Sequence, residues 1–248
     1  MKERSLTVII PAFNEEVQLR KTYETIRESL DGLFSETRII IVDDGSGDGT
    51  PEIADTIAAD DAGVTVVHNE SPRCLGGVYK QALGMVTTDH VVLVNAKNVP
   101  PADSLAEIWR ACDTADMIVP YPLNSNERPW IRRVVSRTYT TLISLLFRLR
   151  LQYYNHYVVH RTKLARAVDV STDSYAFQAE MLIKLIHLGY SYREVGIVDN
   201  FKDESKSRAF RRNNVIGVAR FIWTMFWDIT VRRRYRPACG ITPGESRI

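Results

Sequence analysis

Two runs of β-branched residues that stop abruptly in acidic and small polar side chains constrain this chain most. They are TVIIPAFNEE (residues 7–16) and IIIVDDGSGDGT (residues 39–50). Such a run is the pattern of a parallel strand buried on both faces, its C-terminal tip opening into a binding crevice. The two tips offer Asn14, Glu15, Asp43 and Asp44 to a hydrogen-bonding ligand such as a nucleotide base and ribose. The competing role for Glu15 and Asp44 is helix capping, because acidic residues favour helix N-termini. A calcium loop fits DDGSGDGT less well: a strand precedes it, and its twelfth position is Asp55 rather than a bidentate Glu. No GxGxxG follows the first strand, which argues against a dinucleotide oxidoreductase.

Strand and helix patterns alternate through the first half. Strands are expected at residues 6–10, 38–42, 64–68, 90–94 and 116–119. Helices are expected at 15–30, 50–59, 77–85 and 104–112. This alternation implies parallel strands joined by crossover helices. A proline- and asparagine-rich loop at 120–129 leads to a second half of different character. There, residues 130–149 interleave arginines with apolar residues, as in an amphipathic helix. Residues 177–188 read as a helix closed by Gly189 in a C-cap position. Residues 192–198 form a strand, 199–212 a polar and basic loop, and 214–231 an apolar helix carrying Trp223, Phe226 and Trp227.

At 248 residues, with 45% hydrophobic and 25% charged side chains, the chain is long enough for a sizeable core. A net charge of +2 gives no general polyanion affinity, so no nucleic-acid partner is expected. Cys74, Cys112 and Cys239 are far apart and lack CxxC spacing, which points to free thiols in a reducing compartment rather than a zinc site. The N-terminus enters a strand directly, without a secretory signal, and no apolar run reaches the roughly 18 residues of a membrane span.

PAFNEE followed by VDDGSGDGT resembles the family 2 glycosyltransferases, which use nucleotide-activated sugars on a GT-A fold. Within that family, YAFQAEM (residues 175–181), Gly189, EVGI (194–197) and VDNFKDESK (198–206) look like the dolichyl-phosphate mannose synthase branch. RRVVSR (132–137) resembles it too. That branch glycosylates a polyprenyl phosphate. By this resemblance Pro11, Phe13, Glu15, Val42 and Asp44 hold the nucleoside, joined by Asn95 and Ala96 at the fourth strand tip. Lys206 reaches the phosphates, while Arg132, Arg137, Gln178 and Glu180 face the acceptor. Glu180 has a second, structural role open to it, pairing with Lys184 at i,i+4.

The resemblance breaks where the family places its metal. The fourth strand should end in an Asp-x-Asp that grips a divalent cation, magnesium or manganese, against the donor's diphosphate. Here the residues are Asn95, Ala96 and Lys97. A hard dication needs anionic oxygen ligands, so no metal ligand is assigned. Arginines that the branch uses near the phosphates are replaced by Pro122, Val158 and Asn200, and a loop glycine by Asp203. Two readings stay open. Either Lys97 substitutes for the metal as a fixed cation, with Lys206 and one of His156, His160 or Arg161, or the chain is a non-catalytic relative that binds a partner or lipid.

The expected architecture is a single α/β GT-A domain, Rossmann-like with a mostly parallel sheet, carrying a C-terminal amphipathic helix. Residues 1–120 form the nucleotide-sugar half, 121–212 the acceptor half, and 213–248 the helix with its basic tail. The expected activity is inverting hexose transfer from a nucleotide sugar to an undecaprenyl- or dolichyl-type phosphate, with a hydroxyl acceptor as the alternative. The aromatic residues and RRRYR of the tail suit the inner face of the cytoplasmic membrane. A core-packing helix or a homo-oligomer contact would use the same residues.

Overall fold

The buried apolar runs do form the centre of a sheet. In the computed structural model, residues 4–201, 220–232 and 234–235 are described. Strands β1 (Ser5–Ala12), β2 (Glu36–Asp43), β3 (Val64–His68) and β4 (His90–Leu93) lie parallel in the order β3-β2-β1-β4. They are joined by helices α1 (Leu19–Leu30), α2 (Thr50–Asp60) and α3 (Cys74–Leu83). Alternate side chains enter two cores, as the twofold period of a strand requires. Val8, Ile10, Ile39 and Ile41 pack with Ile26 of α1 and Ile57 of α2. Ile9, Ile40 and Val42 face the other way, onto Val78 and Tyr79 of α3.

Helix α4 (Ala102–Arg110) leads to β5 (Met117–Pro122), and a short 3₁₀ turn (Ser125–Glu127) precedes α5 (Trp130–Phe147). The chain returns through β6 (Val159–Arg161), α6 (Thr162–Ala167), α7 (Phe177–His187) and β7 (Tyr192–Ile197). The complete sheet runs β3-β2-β1-β4-β6-β5-β7, with β6 antiparallel to both its neighbours and β7 parallel to β5. The second half of the chain therefore extends the sheet of the first. A helical segment at 220–226 continues into a π-turn, Trp227–Val231. Its Phe221 and Met225 enter the same core as Ile143 and Phe147 of α5.

Differences from expectation have local causes. Helix α1 begins at Leu19 rather than residue 15 because the Glu15 carbonyl accepts from the Gln18 and Leu19 amides in a preceding turn. Helix α5 stops at Phe147, where Arg148 takes a left-handed conformation with φ 55°. Gly189, φ 91°, closes α7 as expected, its amide donating to the Ile186 carbonyl at 2.9 Å. β6 and α6 have no counterpart in the pattern analysis. The loop containing Asp203 and Lys206, and the first part of the C-terminal helix, fall outside the described residues.

Candidate functional site

The parallel register sets three strand ends side by side. Pro11 and Ala12 of β1 stand beside Val42 and Asp43 of β2, and Ile9 beside Leu93 of β4. Backbone bonding carries this order into the loops beyond. The Asp44 amide donates to Ala12 O (2.8 Å), Val94 to Ile9 O (2.9 Å) and Ala96 to Pro11 O (3.3 Å). Phe13, Glu15, Asp44, Asn95 and Lys97 thus share one edge of the sheet, the edge at which α/β folds bind ligands.

Asp44 is 8% exposed. Its Oδ1 accepts from Asn69 Nδ2 (3.0 Å) and from the backbone amide of Arg73 (2.8 Å). Asn69 is held in turn by Gln81 of α3 at 3.0 Å. No described residue bonds to Asp44 Oδ2, so that oxygen is available to a ligand. Asp44 makes no bond to the start of α2, the helix that follows it, but takes the amide of Arg73, the residue just before α3; Asp48 and Glu16 meet the amides at the start of α2. Asp48 Oδ1 accepts from the Thr50 amide (3.0 Å) and hydroxyl (2.6 Å), and Glu16 Oε2 from the Gly49 amide (2.9 Å). Burial works to raise the Asp48 pKa, but these Thr50 bonds outweigh it and hold the carboxyl below its ordinary value.

The first two loops interlock. Asn14, at φ 55°, accepts from the Gly47 amide through Oδ1 (2.8 Å) while its own amide donates to Ser46 Oγ (3.0 Å). Gly45 has φ +77°, and a Cβ there would lie 3.3 Å from Asn69 O. A side chain would be strained at that turn. Asp43 Oδ1 accepts from the Ser46 amide (3.0 Å), while Oδ2 meets His68 Nδ1 at 3.1 Å. The Asp43 hydrogen bond raises the His68 pKa against desolvation, with Asp55 adding to it. A raised His pKa stabilises the fold fully below the unfolded value near 6.5, and the contribution is lost as pH rises through the folded value. Thermal stability is therefore expected to decline from pH 6 upward through the raised pKa. His68→Gln should flatten that part of the profile in a melting series; an unchanged slope would assign the effect elsewhere.

At the tip of β4 the donors do not fit a dication. Ala96 is buried, and its carbonyl accepts from Thr22 Oγ1 at 2.9 Å. Asn95 and Lys97 are half-buried, and Asn98 turns the chain at φ 55°. An amide and an ammonium replace two carboxylates, and among the described residues no cluster of three or more His, Cys, Asp or Glu has metal-binding geometry. Lys97 forms no ion pair or hydrogen bond with a described residue.

Two of the suggested helpers of Lys97 are corrected by the fold. His160 and Arg161 pair with Val91 and His90 at the start of β4, the end of the strand opposite its tip. Burial also lowers the His160 pKa to about 3, which keeps the ring neutral. His156 does lie at the crevice end, with Nε2 3.2 Å from Asp199 Oδ2. Asn124 brackets Asp199, accepting from its amide (2.9 Å) and donating to its carbonyl (2.9 Å), while Asn200 reaches the Val99 carbonyl at 3.5 Å. Arg128, not singled out from sequence, lies here too. Its Nη1 donates to Tyr153 Oη (2.9 Å) and its guanidinium lies 4.9 Å from the Phe201 ring centre. Only its position after a strand tip could have marked it.

Glu180 is 0% exposed and has no surface with which to touch an acceptor. Its carboxylate meets Lys184 Nζ (2.6 Å), the Ser171 amide and hydroxyl (2.9 and 2.8 Å) and the Thr172 amide (3.1 Å). The expected acceptor contact is thus replaced by the structural alternative. Gln178, 7% exposed on the same helix, is nearly as enclosed. Arg132 and Arg137 lie on α5, half-buried and exposed respectively.

Residues 7–173 match the domain described as Glycosyl transferase family 2. Glycosyltransferase AglD of Haloferax volcanii is 26% identical over 249 residues, covering 96% of this chain, which spans only 40% of AglD. The undecaprenyl-phosphate mannosyltransferase of Micrococcus luteus is 28% identical across 89% of this chain and 95% of its own length. The polyprenol monophosphomannose synthase of Mycolicibacterium smegmatis is 30% identical, with 77% and 75% covered. In structure, glucosyl-3-phosphoglycerate synthase from Mycobacterium tuberculosis, solved with manganese, uridine diphosphate and phosphoglyceric acid, superposes with a TM-score of 0.67. That match covers 96% of this chain and 81% of the other at 18% identity, so it establishes the shared GT-A fold and nothing finer. From the ordered strand tips and the match across most of its length, this chain belongs to glycosyl transferase family 2.

Proposed function

We propose that this protein transfers a hexose, with inversion, from a nucleotide sugar to a polyprenyl phosphate at the inner face of the cytoplasmic membrane. The observation that carries the reading is Asp44. It is fixed by Asn69 and Arg73 at the shared edge of β1, β2 and β4, with one carboxylate oxygen left for a donor. The polyprenyl-phosphate relatives supply the acceptor class. Among the described residues no helix is long and apolar enough to cross a membrane.

A phosphate acceptor suits a site without an evident general base. The acceptor is already an anion at neutral pH, so its oxygen attacks the anomeric carbon from the face opposite the leaving group. The bond from that carbon to the diphosphate oxygen breaks as the new one forms, and its electron pair leaves with the nucleoside diphosphate. Lys97 stands at the strand tip where that charge would grow; Lys206 would be its partner on the loop outside the described residues. A hydroxyl acceptor would need a base, and Glu180 is enclosed. The second reading, a silent relative, is favoured by the loss of both carboxylates at Asn95 and Lys97 and by Pro122, Val158 and Asn200 standing where the branch has arginines.

Calorimetric titration with a panel of nucleotide sugars tests the donor site. Asp44→Ala should weaken nucleotide binding by about 1–3 kcal/mol, the cost of losing a buried hydrogen bond to a charged acceptor. Binding by no nucleotide sugar would remove the transferase reading, and an unchanged affinity in the variant would remove Asp44 from the site.

A further inference from the structure

Helix α5 is amphipathic in the unexpected sense, with its continuous apolar stripe turned away from the core. Its inward side is narrow: Ile143 and Phe147 are buried, and Tyr139 and Leu146 pack partly buried against the same core. Trp130, Ile131, Val134, Val135, Leu142 and Leu145 are all exposed, from 42% at Leu142 to 73% at Leu145. At 100° per residue these positions, with exposed Thr138 and Thr141 between them, fall on one face about 140° wide. The stripe runs the length of the helix, about 27 Å at 1.5 Å per residue. It carries no charge. A stripe this long and apolar on a water-exposed helix marks a contact surface.

The surrounding charge identifies the occupant. Six arginines occur from Arg128 to Arg150, and no acidic residue occurs between Glu127 and Asp169. Arg133 and Arg137 follow one flank of the stripe. A second copy docking on this face would set arginines against arginines with no carboxylate on the helix to relieve them. An anionic lipid surface satisfies both features, receiving the apolar side chains among its acyl chains while the guanidinium groups meet its headgroups. We infer that the outward face of α5 is the surface by which this protein lies on an anionic lipid bilayer. The helical segment that packs on the same core also carries exposed, stacked aromatic rings, Trp223 and Trp227, with centroids 6.3 Å apart.

The inference deepens the proposed function by naming the surface from which a lipid-linked acceptor would be met, and it rests on that reading for its purpose. The test does not. The full chain is sedimented with neutral phosphatidylcholine vesicles, and with vesicles containing roughly one-third phosphatidylglycerol, a strongly anionic surface. The expected result is strong partition onto the anionic vesicles only, reduced about tenfold or more in the double variant Val134→Asp/Leu145→Asp. Both side chains are exposed, so the variant should keep its circular dichroism and its nucleotide-sugar binding. It should still use a short, water-soluble polyprenyl phosphate while losing transfer to a vesicle-embedded one. Equal vesicle binding by variant and parent would overturn the inference. So would a parent that ignores vesicles but forms a dimer which the variant dissolves, since the face would then belong to a second copy. Vesicle binding without donor binding would sink the transferase reading and leave the lipid surface standing.

Discussion

Replacing Glu180 with alanine is expected to destabilise the fold by about 3–5 kcal/mol, the range for stranding one partner of a buried ion pair. Lys184 is 4% exposed at its side chain and lies against the Asp169 carbonyl as well as Glu180. Desolvation lowers the Lys184 pKa, but the Glu180 hydrogen bond and charge outweigh it and raise the value overall. Without Glu180 only the Asp169 carbonyl and Tyr235 remain to offset the desolvation cost, and no negative charge does. The same carboxylate also holds the Ser171 and Thr172 amides. For a chain of this size the loss corresponds to a fall of about 10 °C or more in melting temperature. Glu180→Gln keeps acceptor and shape while losing the charge, and should fall between the two. Thermal or urea denaturation would read all three proteins, and a small effect of the alanine would show that the pair is not structural.

The consequence reaches the candidate site through contacts that can be followed. Thr172 and Asp173 pack so closely on Gly76 that a Cβ there would lie 2.6 Å from the Thr172 carbonyl oxygen. Asp173 also accepts from the Gly76 amide through its carbonyl (2.9 Å) and pairs with Lys80 (2.5 Å). This fixes the start of α3, immediately after Arg73, whose amide holds Asp44. The YAFQAE segment therefore supports the candidate site from behind.

Elements that bury both faces were legible in the sequence because solvent leaves no other use for a run such as Thr7–Val–Ile–Ile. β1, β2, β4 and the first part of β5 follow from that; β3, at the sheet edge and only partly buried, follows from its β-branched residues. β6 did not, because a strand of three residues shows no period, and His160 and Arg161 look polar although His160 is 2% exposed. The acidic loops were legible as a group but not residue by residue. Whether Asp44 or Asp48 caps α2 depends on backbone turns at Asn14 and Gly45, which composition does not report. In α5 the amphipathic spacing is plain, but periodicity carries no sign. It cannot say that the stripe faces outward, because that depends on how little of the helix the core can receive.

Lys97→Ala is expected to lower kcat by about 10²–10³-fold while leaving donor affinity within a few-fold, the signature of charge stabilisation made mainly in the transition state. Half-buried Lys97 has no competing carboxylate among the described residues, so on the proposed reading its charge would be available to a departing diphosphate. A cation in partly desolvated surroundings interacts more strongly than it would in water. Wild-type transfer should be indifferent to chelator, because the donor set at Asn95, Ala96 and Lys97 gives a dication no anionic oxygen. The double variant Asn95→Asp/Lys97→Asp rebuilds the carboxylate pair at this tip and should exchange lysine dependence for dependence on added magnesium or manganese. Radiolabelled sugar transfer to a short polyprenyl phosphate, with and without chelator, reads all of these. Wild-type activity abolished by chelator, or Lys97→Ala as fast as the parent, would show that the leaving group is stabilised by something other than this lysine.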